Sequence, residues 1–561
     1  MTTGLSMSKI ASKLGYDVFD YIEYPSLIRG GHNAYEVVIS SEKVWAFEKY
    51  IDYLVCLNHE TFEKHKTRLK NDSLVIYDPD EFSPSIDCIK IPVPFRQILH
   101  ELQGQMIMTN TIALGASLAL LGAKFEALSD QIANQFGKKG KEVVDFNKKF
   151  AKNGYDLIAE KYFKSIKPIL NEKTNSEQIV LSGNDAFSLG AVMSDCRIYC
   201  AYPMTPASSV LTTLAGWQNK TKMIVRHAED EISVINTALG ASFAGVRSSV
   251  GTSGGGFALM VEGLSYAGIA EIGVVVFLSQ RPGPATGMPT WTEQGDLLFA
   301  IHAGHGEFMK IVLAAGDTEE MIDLTCECFN LADIYQTPVV ILSDMFLSES
   351  HRSIKKQYVL DAFKTLKIDK GKTANNVPDG PYSRYKLTPD GISERLQIGT
   401  ADYYYQANSY EHLEDGHTTE DGEQRTLQVD KRNKKIDTYL KIHFKPPKIY
   451  GDLSSSKIIF VSWGSTKGSI RKALEELEKL GIKAGHIHFT HLFPLDAEVI
   501  KPIFSHNGTY VLVENNSHAQ FGQLLRSQTG INIEDKMLKY DGRAFTSDEI
   551  IEGTLKLLEK K

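Results

Sequence analysis

The sequence predicts an α/β protein of several domains organised around parallel sheets. Three observations carry this. The chain has 561 residues, well beyond one typical domain. Between about 178 and 350, short apolar runs alternate with helical patterns. Several of those runs end in loops rich in Gly, Pro, Ser and Thr, the punctuation of strand-to-helix turns. Length argues for three or four domains, and composition divides the chain at 1–167, 178–364, 365–450 and 451–561.

Within 1–167, short strands at 73–77 and around Val55 lie between helical stretches, and a lysine-rich helical stretch, 138–167, closes the domain. The second segment opens with Leu181-Ser182-Gly183-Asn184-Asp185-Ala186 and carries strands at 198–201, 273–279 and 337–343, with a β-like run from Ser248 that ends in glycines at 254–256. Residues 365–450 are rich in Asp, Gly, Lys, Thr and Tyr with little apolar periodicity, which predicts a connector with long loops. Tyr403-Tyr404-Tyr405, His412 and His417 within it are read as structural. From Lys457 the alternation returns, with strands at 458–463, 484–489 and 510–514 and an amphipathic helix at 470–480.

Four segments carry chemistry. In Tyr202-Pro203-Met204-Thr205-Pro206-Ala207-Ser208-Ser209, two prolines fix φ on either side of Thr205, so its hydroxyl and nearby N–H groups are presented in one geometry, which suits a small anion. The same pattern also reads as a stiff turn with Ser208 or Ser209 capping the next helix. Glu229, Asp230 and Glu231 crowd a helix start, where the macrodipole accounts for one or two acids at roughly 0.3–1 kcal/mol each. Glu231 directly precedes the small-residue run 236–245, whose close packing could desolvate it. Thr252-Ser253-Gly254-Gly255-Gly256 joins a strand to a helix and fits neither a Walker loop nor G-x-G-x-x-G. Arg281 ends a strand, where α/β sheets bind ligands.

Together these segments resemble the alpha subunit of 2-oxoacid:ferredoxin oxidoreductases, in the form with a gamma domain fused at its N-terminus. The resemblance is carried by Y-P-M-T-P-A-S-S at 202–209, E-D-E-I at 229–232, T-S-G-G-G-F at 252–257, R-P-G-P-A-T-G-M-P-T with E-Q-G-D-L at 281–297, and the gamma-type motif E-Y-P-S-L-I-R-G-G-H-N at 23–33. It implies three α/β domains: gamma-type, thiamine-diphosphate pyrimidine-binding with a parallel sheet, and transketolase C-terminal-like. The last matches at Ser462-Trp463-Gly464-Ser465-Thr466 and at Glu514-Asn515-Asn516 to Gln520-Phe521-Gly522-Gln523, turns read as subunit packing rather than catalysis.

The resemblance further implies oxidative decarboxylation of a 2-oxoacid, with 2-oxoglutarate as the first reading, giving succinyl-CoA, CO2 and reduced ferredoxin. Pyruvate, branched-chain oxoacids or a non-catalytic assembly role are the alternatives. Thiamine diphosphate would be shared with a beta subunit that holds Mg and a [4Fe–4S] cluster, in an (alpha-beta)2 assembly, with coenzyme A as co-substrate. Glu231 matches the glutamate that bonds the pyrimidine ring and favours its imino tautomer. Thr205 matches the loop threonine that contacts the substrate carboxylate, and Arg281 sits where a guanidinium pairs with it. Tyr202, Pro203, Thr205, Glu231, Ser253 and Gly254 are the implied cofactor-binding set. Asp185 and Ala207 depart from the family's Glu and Ser. Arg226, Arg247 and His302 are candidates for a distal carboxylate, and Arg29, Gly30 and Gly31 read as a coenzyme A contact or as a glycine turn.

A net charge of −8 with no long basic run argues against a nucleic-acid partner. No apolar segment reaches the roughly 18 residues of a membrane span, and no signal pattern opens the chain, so a cytoplasmic protein is expected. Six scattered cysteines read as reduced thiols with no metal site. The family's gamma domain begins with a strand and a G-x-G-G-x-G turn ahead of the helix that starts here near Thr2. An upstream start, with Met1 internal, is therefore expected, and an intact native mass matching 1–561 would refute it.

Overall fold

The structure, a computed structural model, describes residues 2–26, 31–162, 169–170, 177–374, 382–400 and 403–560. They form two units, one of residues 1–180, 350–359 and 546–548, the other of 181–349, 360–545 and 549–561. Arg29 and Gly30 lie outside the described residues. Gly31 has φ +88°, and a Cβ there would stand 2.5 Å from Pro25 Cγ.

In the first unit the strands Ala34–Ser40, Asp17–Glu23 and His351–Lys355 lie side by side, with Asp17–Glu23 antiparallel to both neighbours. Asp20, buried among them, accepts from Ser8 Oγ at 2.6 Å and bonds His351 Nδ1 at 2.8 Å. A separate parallel sheet joins Ile51–Val55, Leu69–Tyr77 and Ile89–Pro92. The helices Thr109–Leu120 and Lys141–Tyr162 cross at two glycines. A Cβ on Gly115 would stand 1.9 Å from the Ala151 carbonyl oxygen, and one on Gly154 would stand 2.1 Å from that of Ile112. The predicted lysine-rich helix is present over Lys141–Tyr162, preceded by a short 3-10 turn at Gly137–Lys139, and 163–168 lie outside the described residues. Its Val144, Phe150, Ala151 and Ile158 turn inward.

The second unit contains the predicted parallel sheet. Its order is His491–Phe493, Ile311–Ala314, Pro338–Asp344, Val274–Gln280, Ser248–Thr252, Ile198–Ala201, Ile224–His227, parallel throughout except for the first strand. Val274–Gln280 and Pro338–Asp344 are buried at every position, which is why they read as unbroken apolar runs. The run from Ser248 leaves the sheet at Thr252, and its glycines belong to the helix Gly254–Ala270. A five-stranded sheet follows, ordered Lys448–Tyr450, Ala484–Phe489, Ile458–Trp463, Thr509–Glu514, Asp535–Leu538, with only Lys448–Tyr450 antiparallel.

The segment 365–450 departs from the expected looped connector, because it contains the 21-residue helix Gly422–Ile442. Apolar periodicity misses this helix because its inward face includes Gln428, Lys431, Arg432 and Lys435. Lys431 Nζ lies 2.5 Å and Lys435 Nζ 2.6 Å from the two carboxylate oxygens of Glu271. Arg384 Nη2 donates to the Glu271 carbonyl at 2.8 Å. Glu271 is the left-handed cap of the helix Gly254–Ala270, and Lys435 also reaches the carbonyl of Gln336, the left-handed cap of Thr318–Tyr335, at 3.5 Å. The buried cations therefore dock on the negative ends of two helices. Burial alone would raise the Glu271 carboxyl, but the Lys431, Lys435 and Arg384 charges overcome it and hold it well below the carboxylate range. Burial pulls the Lys431 ammonium down to about 7. Nearby, Tyr405 packs edge-on to Tyr382 and His412 lies 3.9 Å from the Tyr385 ring centre, while Tyr404 is exposed.

Glu271→Gln strands two buried lysines and is expected to cost about 3–5 kcal/mol in denaturant unfolding, whereas E271L/K431M/K435M, which removes the whole ion group, costs less. The Glu271 contribution is present above the unfolded carboxylate pKa and is lost as pH falls towards the depressed folded value, so the wild type should lose more stability on acidification than E271L/K431M/K435M, read by denaturant unfolding across that pH range.

Candidate active site

Residues named from the sequence meet at the carboxyl ends of the parallel strands Ile198–Ala201, Ser248–Thr252 and Val274–Gln280. The loop after the first strand carries a cis Thr205–Pro206 bond. Asn184, fully buried at the start of the helix Gly183–Met193, donates to the Pro206 carbonyl at 2.8 Å and to Ser209 Oγ at 2.6 Å. Ser209 is thus engaged elsewhere. The helix Ser208–Thr221 has no side-chain cap, since Ala207 occupies its N-cap position, which corrects the capping role expected for Ser208 or Ser209. Asp185 instead forms a capping box with Ser182.

The three adjacent acids separate cleanly. Asp230 caps the helix Glu231–Phe243, accepting from the Ser233 N–H at 2.8 Å, and Glu229 is exposed. Glu231 is 3% exposed, and its Oε1 has no hydrogen-bond partner among the described residues. A Cβ on Gly256 would stand 2.5 Å from that oxygen and 2.1 Å from Thr252 Oγ1. Ser253 caps nothing, although it holds the N-cap position of Gly254–Ala270, and its buried Oγ is likewise unpartnered. Gly254 is required by Asp296, whose Oδ2 would stand 2.6 Å from a Cβ there. Arg281 Nη1 donates to the Thr205 carbonyl at 2.8 Å, joining the first and third loops.

Arg281 and Thr205 are therefore joined directly, while Glu231, Ser253 and Gly254 meet at the start of the helix Gly254–Ala270, at the end of the neighbouring strand. Tyr202 and Pro203 are exposed. Tyr202 faces His227 across an open depression of about 520 Å³, also lined by Arg226, Ala228, Glu229 and Ser233. Of the distal-carboxylate candidates, Arg247 is 5% exposed and saturated by Asp333, Ser194, Asn330 and Asp369, so it is ruled out. Arg226 and His302 are exposed.

Sequence reasoning assigned no role to Gln294, Glu293 or Asp296. Gln294, fully buried, donates through its Nε2 to the Trp463 carbonyl at 2.9 Å and accepts from the Asn515 N–H at 2.9 Å. Gln520 brackets the same loop, donating to the Gly295 carbonyl at 2.6 Å and accepting from the Leu298 N–H at 3.0 Å. The two C-terminal turns read as subunit packing thus pack within the chain, on the loop that carries Asp296. Burial pushes the Asp296 carboxyl up to about 6, with Arg281 opposing. Burial and the neighbouring Asp296 charge raise Glu293, and burial lowers the Arg281 guanidinium. The E-Q-G-D motif was the available signal, but no spacing rule turns it into a role.

Unpaired buried polar atoms beside a glycine turn cost free energy unless a ligand satisfies them. Glu231 Oε1 and Ser253 Oγ suit the ring nitrogens and amino group of an aminopyrimidine, so the residues present fit that end of thiamine diphosphate. All six cysteines are free, five of them buried. Among the described residues no group of three or more His, Cys, Asp or Glu is placed to hold a metal, and no helix is long and apolar enough to cross a membrane.

Two family descriptions match the chain: "Pyruvate flavodoxin/ferredoxin oxidoreductase, thiamine diP-bdg" over residues 189–431 and "Pyruvate ferredoxin/flavodoxin oxidoreductase" over 1–157. A 2-oxoacid:ferredoxin oxidoreductase subunit alpha from Sulfolobus sp is 33% identical over 97% of this chain and 93% of its own length. A 2-oxoglutarate synthase subunit KorA from Methanothermobacter thermautotrophicus is 27% identical over 68% of this chain and 99% of its own. Among solved structures, 2-oxoglutarate:ferredoxin oxidoreductase from Magnetococcus marinus, with 2-oxoglutarate, coenzyme A and succinyl-CoA bound, superposes with a TM-score of 0.91 at 31% identity, covering 99% of this chain and 96% of that one.

Gly256→Ala should lower stability by about 1–3 kcal/mol in thermal or denaturant melts, because the added methyl forces Thr252 or Glu231 aside.

Proposed function

The chain belongs to the alpha subunits of 2-oxoacid:ferredoxin oxidoreductases, and from that premise we propose that it works with a beta subunit to oxidise 2-oxoglutarate: 2-oxoglutarate, coenzyme A and two oxidised ferredoxins give succinyl-CoA, CO2, two reduced ferredoxins and a proton. In this reading 1–167 is the gamma-type domain, 178–364 binds the pyrimidine, 365–450 connects and 451–561 is transketolase C-terminal-like. The beta subunit carries the diphosphate with its magnesium and the [4Fe–4S] cluster, in an (alpha-beta)2 assembly in the cytoplasm. The observation that carries the proposal is the buried, unpartnered Glu231 oxygen set against the glycine turn.

When bound, thiamine diphosphate supplies a carbon nucleophile for the oxo group and an electron sink for the pair left behind by CO2. Glu231 holds a hydrogen bond at the pyrimidine end, and its burial beside glycine keeps water from competing for it. Ser253 and Gly254 line the same cradle, Ser253 with a free hydroxyl and Gly254 by leaving room. Thr205, fixed by its flanking prolines and by Asn184, offers its hydroxyl to the substrate carboxylate. Arg281 neutralises that carboxylate, and its tie to the Thr205 carbonyl sets the two groups in fixed relation.

The choice of 2-oxoglutarate is supported by the Magnetococcus structure and the Methanothermobacter relative, which carry that substrate in their names. The Sulfolobus relative, with higher identity than the latter, is named for 2-oxoacids at large, which keeps pyruvate and branched-chain oxoacids as the second reading.

Anaerobic assay of this chain with its beta partner, reading coenzyme A-dependent viologen reduction, should show activity only for the pair and highest kcat/KM with 2-oxoglutarate. Preference for pyruvate or 2-oxoisovalerate would replace the substrate. Glu231→Gln should lower kcat at least 100-fold, and Arg281→Met should act mainly by raising KM for the oxoacid.

A further inference from the structure

Asp296 opens the short helix Leu297–His302, yet its side chain does not cap it. An aspartate at such a position ordinarily accepts from the first turn. Here the carboxyl is turned instead towards Gly254, with Oδ2 buried and unpartnered among the described residues. Its backbone is fixed: the Asp296 N–H donates to Gln280 Oε1 at 3.0 Å, and the preceding carbonyl is held by Gln520. The charged groups that face it are Arg281, at the end of Val274–Gln280, and Glu293 on its own loop. The helix Gly254–Ala270 meets it with Gly254, and the C-terminal turn meets its loop with the Gln520 amide on the Gly295 carbonyl. Glu231 faces Gly256 rather than Gly254. Asp344 is held by Thr292 and Leu347, and Glu514 by Asn516, Phe521 and Gly522.

Arg281 spends one nitrogen on a backbone carbonyl, so its positive charge is not spent on a carboxylate partner within the described residues. We propose that Asp296 gates the oxoacid-carboxylate subsite by charge: as the neutral acid it leaves Arg281 free to bind an incoming carboxylate, and as the anion it competes with that carboxylate for the guanidinium and repels it. The inference rests on the reading of Arg281 as the carboxylate-binding residue. The Asp296 N–H is tied to Gln280, the residue before Arg281, so the two charged groups share one partly buried strand end, where a charge on Asp296 is expected to change carboxylate binding several hundredfold. The carboxyl sits near its midpoint at about 6, so the gate works just below neutrality. Oxoacid binding above that pH takes up one proton from solvent, and Asp296 returns it when the carboxylate leaves as CO2.

The test is the pH dependence of KM for the oxoacid between pH 5.5 and 8.5 in the assembled alpha–beta enzyme. Wild-type KM should rise about three- to tenfold per pH unit above 6 while kcat changes little, and Asp296→Asn should be flat at the low-pH wild-type value. Calorimetric titration of the oxoacid into the complex prepared without thiamine diphosphate, in two buffers of different ionisation enthalpy, should count close to one proton taken up at pH 7.5 by the wild type and none by the variant. Asp296→Ser, equally uncharged, replaces Asp296→Asn if the latter does not assemble. A flat wild-type KM, or a pH dependence that survives in the uncharged variant and so belongs to Glu293, overturns the gate while leaving the oxoacid reading intact. Turnover of no oxoacid at any pH overturns the reading of the site itself.

Discussion

Everything at the strand ends depends on one steric constraint: two carboxylates, Glu231 and Asp296, occupy the space that side chains at Gly256 and Gly254 would need. The glycine turn is therefore not mere flexibility between a strand and a helix. It is the gap into which acids from two other segments of the chain reach, and it leaves a serine hydroxyl and one oxygen of each acid buried without a partner among the described residues at the start of a long helix.

Such an arrangement is costly in isolation, since each unpaired buried polar atom works against folding. The structure offsets the cost with rigid surroundings whose own polar groups are matched. Asn184 fixes the loop of Thr205, while Gln294 and Gln520 fasten the loop of Asp296 to the second sheet through backbone bonds. At the far end of the helix Gly254–Ala270, Glu271 is gripped by Lys431 and Lys435 from a helix more than a hundred and fifty residues later in the chain. One helix thus opens at the site and closes at a buried ion group. Its two ends are held by chemistry of opposite kinds, unpaired acceptors at the first and paired charges at the second.

Much of this was legible in the chain. Fully buried parallel strands read as apolar runs because helices cover both faces, and the strand-to-loop junctions that bear Thr205, Ser253 and Arg281 were found where those runs stop. Four-residue strands such as Ile224–His227, whose burial is mixed, gave no period to detect. The helix Gly422–Ile442 was missed for a different reason: its inward face is cationic, and buried lysines imitate a solvated surface until their partner is seen.

What the sequence by itself determined was the α/β class, the motif set and the identity of most groups at the site, because residue type and local spacing govern turns, caps and apolar patterns. What only the tertiary structure decided was how three neighbouring acids divide their work, with Asp230 capping, Glu229 in solvent and Glu231 buried, and that Asp296 joins them. It also removed Arg247, whose guanidinium is consumed by four partners, from the candidates for a substrate contact. The physical reason is the same in each case. Burial and pairing are set by segments far apart in the chain, and a side chain's chemistry follows from what surrounds it rather than from its neighbours in sequence.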